Sequence, residues 1–145
     1  MLGLFNAKKK ITKTKILVVD DEPDLVSIIQ SRLEWCKFCE VITAGNGKEG
    51  LEKATNEKPD LILLDTNMPV MGGHEMLKRL HEQPELKDIP VIMVTVVCEP
   101  QDIATALSYG IVDYVTKPFD FTDLMGKIAN TLKNKKVQKL TKANS

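Results

Sequence analysis

No stretch of this 145-residue chain approaches the roughly 18 consecutive apolar residues that a membrane span requires. Membrane insertion is therefore not expected. Leu2-Gly3-Leu4-Phe5 is too short for the apolar region of a signal peptide, and the lysines follow it instead of preceding it. Glycine stands at position 3, so the myristoylation pattern is missing too. These absences predict a cytoplasmic protein. Cysteine is scarce, with three residues, an odd number. Cys36-Lys37-Phe38-Cys39 spells C-x-x-C, but a redox motif of that kind opens a helix, whereas this one follows a helical pattern and precedes a strand. No second pair completes a zinc site, and Cys98 stands alone. Cys36 and Cys39 read as two ordinary thiols in a helix-to-strand connection. Net charge is also absent, with 20 basic and 20 acidic residues, yet the balance is uneven. Residues 1–15 carry five lysines and residues 132–145 another five, with no acid in either segment, which leaves a net of −10 between them. Such tails can meet nucleic acid or anionic lipid. The plainer expectation is two solvated, disordered ends, 1–13 and 134–145, around one domain at 14–133.

What is present is a set of short apolar runs that stop in polar groups. Lys15-Ile16-Leu17-Val18-Val19 ends in Asp20-Asp21, and Leu61-Ile62-Leu63-Leu64 ends in Asp65. Val91-Ile92-Met93-Val94 ends in the hydroxyl of Thr95, and Tyr114-Val115-Thr116 in the ammonium of Lys117. Apolar runs without alternation are strands buried on both faces, hence a parallel sheet covered by helices. Cys39 to Ala44 supplies another strand, and Ile111 to Thr116 the last one. Helical spacing follows each strand, through Leu25, Ile28, Ile29 and Leu33, from Gly50, through Met76, Leu77 and Leu80, from Pro100, and through Leu124, Ile128 and Leu132. Asn46-Gly47 reads as a turn, Gly110 as a helix stop, and Asp120-Phe121-Thr122-Asp123 as a capping box. Five strands and five helices in strict alternation predict an α/β fold, doubly wound, with right-handed crossovers.

In such sheets the ligand site lies beyond the carboxyl ends of the strands. Asp20, Asp21, Asp65, Thr95 and Lys117 would all meet there. Each has an ordinary role in isolation: a helix cap, a turn, a strand residue, a solvated lysine. Their shared edge is what those roles leave unexplained. A carboxylate on a rigid strand end can attack phosphorus and become an aspartyl phosphate. Phosphoryl transfer depends on positioning and electrostatics, so a cation and a lysine are the partners it needs. Clustered carboxylates repel one another without a cation. Magnesium fits best, with manganese as its substitute, because it combines carboxylates, waters and phosphate oxygens. Lys117 supplies a point charge and Thr95 a hydroxyl for the phosphoryl oxygens.

Val18-Val19-Asp20-Asp21-Glu22, Leu63-Leu64-Asp65-Thr66-Asn67-Met68-Pro69-Val70-Met71-Gly72-Gly73, Thr95, and Tyr114-Val115-Thr116-Lys117-Pro118-Phe119 together resemble the response-regulator receiver domain. The resemblance covers about residues 14–133. It implies the flavodoxin-like strand order 2-1-3-4-5, a three-layer (βα)5 sandwich. It implies that Asp65 takes a phosphoryl group from a phosphohistidine on a sensor histidine kinase or a phosphotransfer protein. Asp20, Asp21, Asp65 and the backbone carbonyl of Asn67 would hold the metal, Lys117 would contact the phosphoryl group, and Thr95 would swing toward it. Tyr114 would be the aromatic that turns inward with Thr95, and the bond before Pro118 would be cis. The changed surface would lie on the fourth helix, last strand and fifth helix, near Ile103 to Tyr109 and Asp120 to Ile128. A downstream protein or a second copy of the chain would bind there. A stand-alone receiver is expected, without direct DNA binding, since no helix-turn-helix follows residue 133.

Two departures stand out. Val96 follows the threonine where alanine or glycine is usual, and Val97 follows where a polar residue could orient water; both predict a long-lived aspartyl phosphate. Thr66 stands where some relatives carry tryptophan, and Trp35, at the end of the first helix, would report phosphorylation poorly. Two other readings remain. An aspartyl phosphohydrolase would want a carboxylate at Asn67, and a receiver acting without phosphorylation would have no need of the full acidic set. Enzymatic turnover beyond its own phosphorylation and dephosphorylation is not expected. Gly45-Asn46-Gly47-Lys48-Glu49 fails as a phosphate loop, because Ile42 and Glu49 occupy required positions. His74 and His81, one heptad apart, read as two surface histidines rather than metal ligands.

Overall fold

The computed structural model describes residues 12–96 and 99–143. Val97 and Cys98, on which two of the expectations above rest, lie outside the described residues, as does the N-terminal segment before Thr12. Five parallel strands form one sheet: β1 (Thr14–Val19), β2 (Cys39–Ala44), β3 (Leu61–Leu64), β4 (Val91–Thr95) and β5 (Asp113–Thr116). Their order is β2-β1-β3-β4-β5. Helices α1 (Pro23–Glu34), α2 (Gly47–Glu57), α3 (Gly73–Glu82), α4 (Pro100–Ser108) and α5 (Phe121–Ala143) make the crossovers and the last layer. The doubly wound architecture and the 2-1-3-4-5 order are those expected from the sequence.

Side chains alternate across a strand, so each apolar run feeds two cores. Leu17, Val19, Ile62, Leu64 and Met93 pack with Ala54 of α2, Met76, Leu77 and Leu80 of α3, and Ala106 of α4. Ile16, Val18, Leu61, Leu63, Ile92 and Val115 pack with Ile29 and Leu33 of α1 and with Leu124 and Ile128 of α5. Full burial of each such side chain contributes about 1.5–3 kcal/mol, so β1 and β3, apolar on both faces, anchor the domain. Their rigidity is what the polar strand ends inherit.

Three boundaries differ from the sequence reading. Asn46 is a helix cap and not a turn: its Oδ1 accepts the Glu49 amide (2.9 Å), the Glu49 carboxylate accepts the Gly45 amide (3.0 Å), and α2 starts at Gly47. β5 begins at Asp113, because the Ile111 amide closes the end of α4 on the Ala106 carbonyl (3.3 Å). α5 continues past residue 133 to Ala143. No glycine or proline follows Gly126 within it, and lysines near a helix C-terminus suit the dipole. Asp120 caps its start by accepting the Thr122 amide (2.7 Å).

Candidate phosphoacceptor and cation site

Strand register sets the site. Val19 is level with Leu64, so Asp20 and Asp65 leave adjacent strands side by side. The Asp20 amide donates to the Ala44 carbonyl (3.0 Å) and the Asp65 amide to the Val19 carbonyl (3.0 Å), which extends the ladder to the last residue before each turn. Leu64 is level with Met93, so Thr66 comes level with Thr95. Thr95 is level with Thr116, and the Lys117 amide donates to the Thr95 carbonyl (2.8 Å). The Lys117–Pro118 bond is cis.

The side chains converge from these four strand ends. Carboxylate oxygens of Asp20, Asp21 and Asp65 all lie within 4.8 Å of one another. Asp20 and Asp65 are buried and Asp21 is exposed. The Lys117 ammonium reaches into them, at 2.8 Å from Asp20 Oδ2, 3.0 Å from Glu22 Oε1 and 3.7 Å from Asp65 Oδ2. Asp20 Oδ1 accepts the Glu22 amide (2.9 Å), which orients its other oxygen toward the lysine. Asp65 Oδ1 accepts the Thr66 amide (2.8 Å).

Electrostatics follow from burial. Desolvation, and next the neighbouring Asp20 charge, push the Asp65 carboxyl up to about 6, while Lys117 and the amides of Thr66 and Asn67 pull the other way. Burial works to discharge Lys117, but its hydrogen bonds to Asp20 and Glu22 outweigh that and hold it above its ordinary value. A close set of carboxylate oxygens with one solvent-facing member is a donor set for a hard cation that keeps waters. Asn67 is exposed in the loop after β3.

On the α3–α4 side of the sheet, the Thr66 and Thr95 hydroxyls are 2.6 Å apart. Beside them lies a small cavity of about 20 Å³ bordered by His74, Met93, Asp102, Ile103 and Tyr114. Tyr114 is 39% exposed, so its ring stands at the rim of this space. His74 is half-buried: its Nδ1 is shut off from solvent and has no hydrogen-bond partner among the described residues. His81 packs edge-on against Tyr109, with centroids 6.0 Å apart. Trp35 is exposed at the end of α1. Burial, and next the neighbouring Cys36, push the Cys39 thiol up, the opposite of an activated redox cysteine.

Sequence reasoning gives no role to two of these residues. Glu22 is visible there only as part of an acidic run, and its contact with Lys117 depends on the turn into α1. Thr66 stands out as a departure, but its pairing with Thr95 depends on the β3–β4 register. Gly73 also passes unremarked in the sequence except as a helix start. A Cβ there would stand 2.1 Å from the Asp65 carbonyl oxygen, so α3 can press against the β3 end only with glycine.

Comparison with known proteins agrees with this geometry. The family model for the response regulator receiver domain matches residues 16–129. The chain is 40% identical over 123 residues to the alkaline phosphatase synthesis transcriptional regulatory protein PhoP of Bacillus subtilis, covering 85% of this chain and 50% of that protein. It is 35% identical over 126 residues to hybrid signal transduction histidine kinase D of Dictyostelium discoideum, covering 87% of this chain and 8% of the kinase. The chain thus spans about half, or less, of the length of these curated relatives. Among solved structures, a CheY-like response regulator receiver domain protein from Methanospirillum hungatei superposes with a TM-score of 0.81 at 31% identity, over 88% of this chain and 99% of that one. A chemotaxis response regulator of Vibrio cholerae superposes at 0.75 with 32% identity, over 83% of this chain and 99% of that one. With the sheet order, the register and these matches in agreement, the chain belongs to the response regulator receiver domain family of two-component signalling.

Proposed function

We propose that this domain is a phosphorylation-activated switch in which Asp65 is the phosphoacceptor. The observation that carries the reading is the Asp65 carboxylate, buried at a rigid strand end with a lysine ammonium 3.7 Å away. The donor is a phosphohistidine on a sensor histidine kinase or a histidine phosphotransfer protein. An Asp65 oxygen attacks phosphorus, the P–N bond breaks, and its electron pair stays on the imidazole nitrogen. The product is an acyl phosphate on Asp65. Asp20, Asp21, Asp65 and the Asn67 carbonyl would hold magnesium, or manganese in its place, which would offset charge on the phosphoryl oxygens. Lys117 shifts its ammonium from Asp20 and Glu22 to a phosphoryl oxygen, and Thr95 exchanges its contact with Thr66 for another. Tyr114 then turns inward from the cavity rim. These movements alter the surface of α4, β5 and α5, near Ile103 to Tyr109 and Asp120 to Ile128. A downstream protein or a second copy of the chain reads that surface.

Intact mass after incubation with magnesium and acetyl phosphate tests this. Wild type should gain one phosphoryl group and Asp65→Ala none. A gain in both would move the acceptor elsewhere. No gain together with no magnesium binding would leave a receiver that works without phosphorylation.

A further inference from the structure

Lysines from opposite ends of the sequence, Lys13 before β1 and Lys133, Lys135 and Lys136 in α5, meet at one end of the sheet. β1 enters the sheet at Thr14, whose amide donates to the Phe38 carbonyl (2.7 Å). α5 runs back against the strands and passes the same edge, where Lys135 Nζ reaches the carbonyl (3.2 Å) and carboxylate (3.5 Å) of Asp60. Lys13, Lys133 and Lys136 line one shallow groove there. Lys15 and Lys135 are paired with Glu57 and Asp60. Lys13, Lys133 and Lys136 are exposed and have no carboxylate partner among the described residues. The opposite end, about 20 Å away along β1, carries the acidic cluster.

The same edge also presents bare aromatic surface. The connection from α1 to β2 is Trp35-Cys36-Lys37-Phe38, with Trp35 89% and Phe38 59% exposed. Lysines beside protruding tryptophan and phenylalanine match an anionic lipid interface, with ammoniums at headgroup phosphates and rings at headgroup depth. Every basic residue in segments 1–15 and 132–145 is lysine and none is arginine, whereas reading base edges leans on the arginine fork.

We propose that this end docks on an anionic lipid surface, with Lys13, Lys133 and Lys136 on headgroup phosphates and Trp35 and Phe38 at the interface. The acidic body is repelled by the same surface, so the domain stands with Asp65 facing away from the lipid, open to a kinase. The proposal is independent of whether Asp65 is phosphorylated.

The chain carries a single tryptophan, so Trp35 is its own reporter. The full chain would be mixed with vesicles of phosphatidylglycerol and phosphatidylcholine, and with phosphatidylcholine alone. Co-sedimentation with the anionic vesicles only, and a blue shift of Trp35 emission, are expected. Binding should fall tenfold or more as salt rises from about 0.01 to about 1 M, which shrinks the Debye length from about 30 Å to about 3 Å. The variant Lys13→Gln/Lys133→Gln/Lys136→Gln should bind at least tenfold more weakly, and Phe38→Ser several-fold, with acetyl phosphate labelling of both unchanged. Equal sedimentation with both vesicle types, or none with either, overturns the proposal. So does tight binding to duplex DNA with no vesicle preference and Trp35 emission unmoved, which would assign the patch to nucleic acid.

Discussion

Asp65 is the residue where folding and function pull apart. Its carboxyl is 5% exposed and its pKa rises from 3.8 to about 6. The folded state therefore holds the Asp65 proton more tightly than the unfolded state, and stability falls as pH rises from about 4 to about 6. A rise of that size sets an upper bound of about 3 kcal/mol on the loss. Without divalent cation, Asp65→Asn should then be more stable than wild type at pH 7, by about 1–3 kcal/mol. That gain should disappear below pH 4; urea unfolding at both pH values checks it, and a gain that persists at pH 4 would point to packing instead. Val96 is the second telling position. It is 61% exposed beside Glu22, Lys117 and Phe119, at the mouth of the site. A branched side chain there narrows the approach of water, so Val96→Ala should shorten the aspartyl phosphate lifetime several-fold. Radiolabel decay in the two proteins measures this, and equal rates would sink it. The positions of Asp20, Asp21, Asp65, Thr95 and Lys117 were legible because each ends an apolar run. The contacts of Glu22 and Thr66 were not, since neither ends a run and both act through neighbours far away in sequence.

Elements position these side chains through close contacts that the sequence signals only as glycine. α3 reaches the β3 end through Gly73, whose amide donates to the Thr66 carbonyl (2.9 Å). A methyl group at that position would collide with the backbone of Asp65. Gly73→Ala must push α3 and β3 apart, and it should destabilise by more than about 2 kcal/mol while slowing phosphorylation. Thermal unfolding with acetyl phosphate labelling checks both; an unshifted midpoint would mean that the contact relaxes freely. Caps show the other side of legibility. Asn46 with Glu49 three residues on is a start signal in plain view, yet Asn-Gly reads equally well as a turn. Only the packing of Gly47 against Met71 and Gly72, and of Gly50 under Val19 of β1 and Met76 of α3, selects the helix start. α5 overran its expected end for a related reason. Its apolar stripe stops near Leu132, but helix propensity carries the backbone on without that stripe.

At the scale of the whole molecule, the candidate cation site forms only when the chain is folded, because Asp20 and Asp65 are remote in sequence and stand on different strands. A ligand that binds only the folded state stabilises it by mass action, about 2.7 kcal/mol at a hundred times its dissociation constant. Millimolar magnesium should therefore raise the melting temperature of wild type and leave Asp20→Asn/Asp21→Asn unmoved. An equal rise in both would place the ion elsewhere. Charge is segregated on the same scale, acidic at the strand carboxyl ends and basic at the other. The sequence by itself determined the alternation of elements and the parallel sheet, because buried apolar runs and helical spacing are local patterns. It also determined which polar groups meet at one edge, because every strand of a parallel sheet ends on the same side. Tertiary structure alone decided the strand register that sets Thr66 against Thr95 and the turn that brings Glu22 to Lys117. It alone decided the close approach at Gly73 and the meeting of Lys13 with Lys133 and Lys136. Those depend on distances between residues remote in sequence, which only the packed sheet specifies.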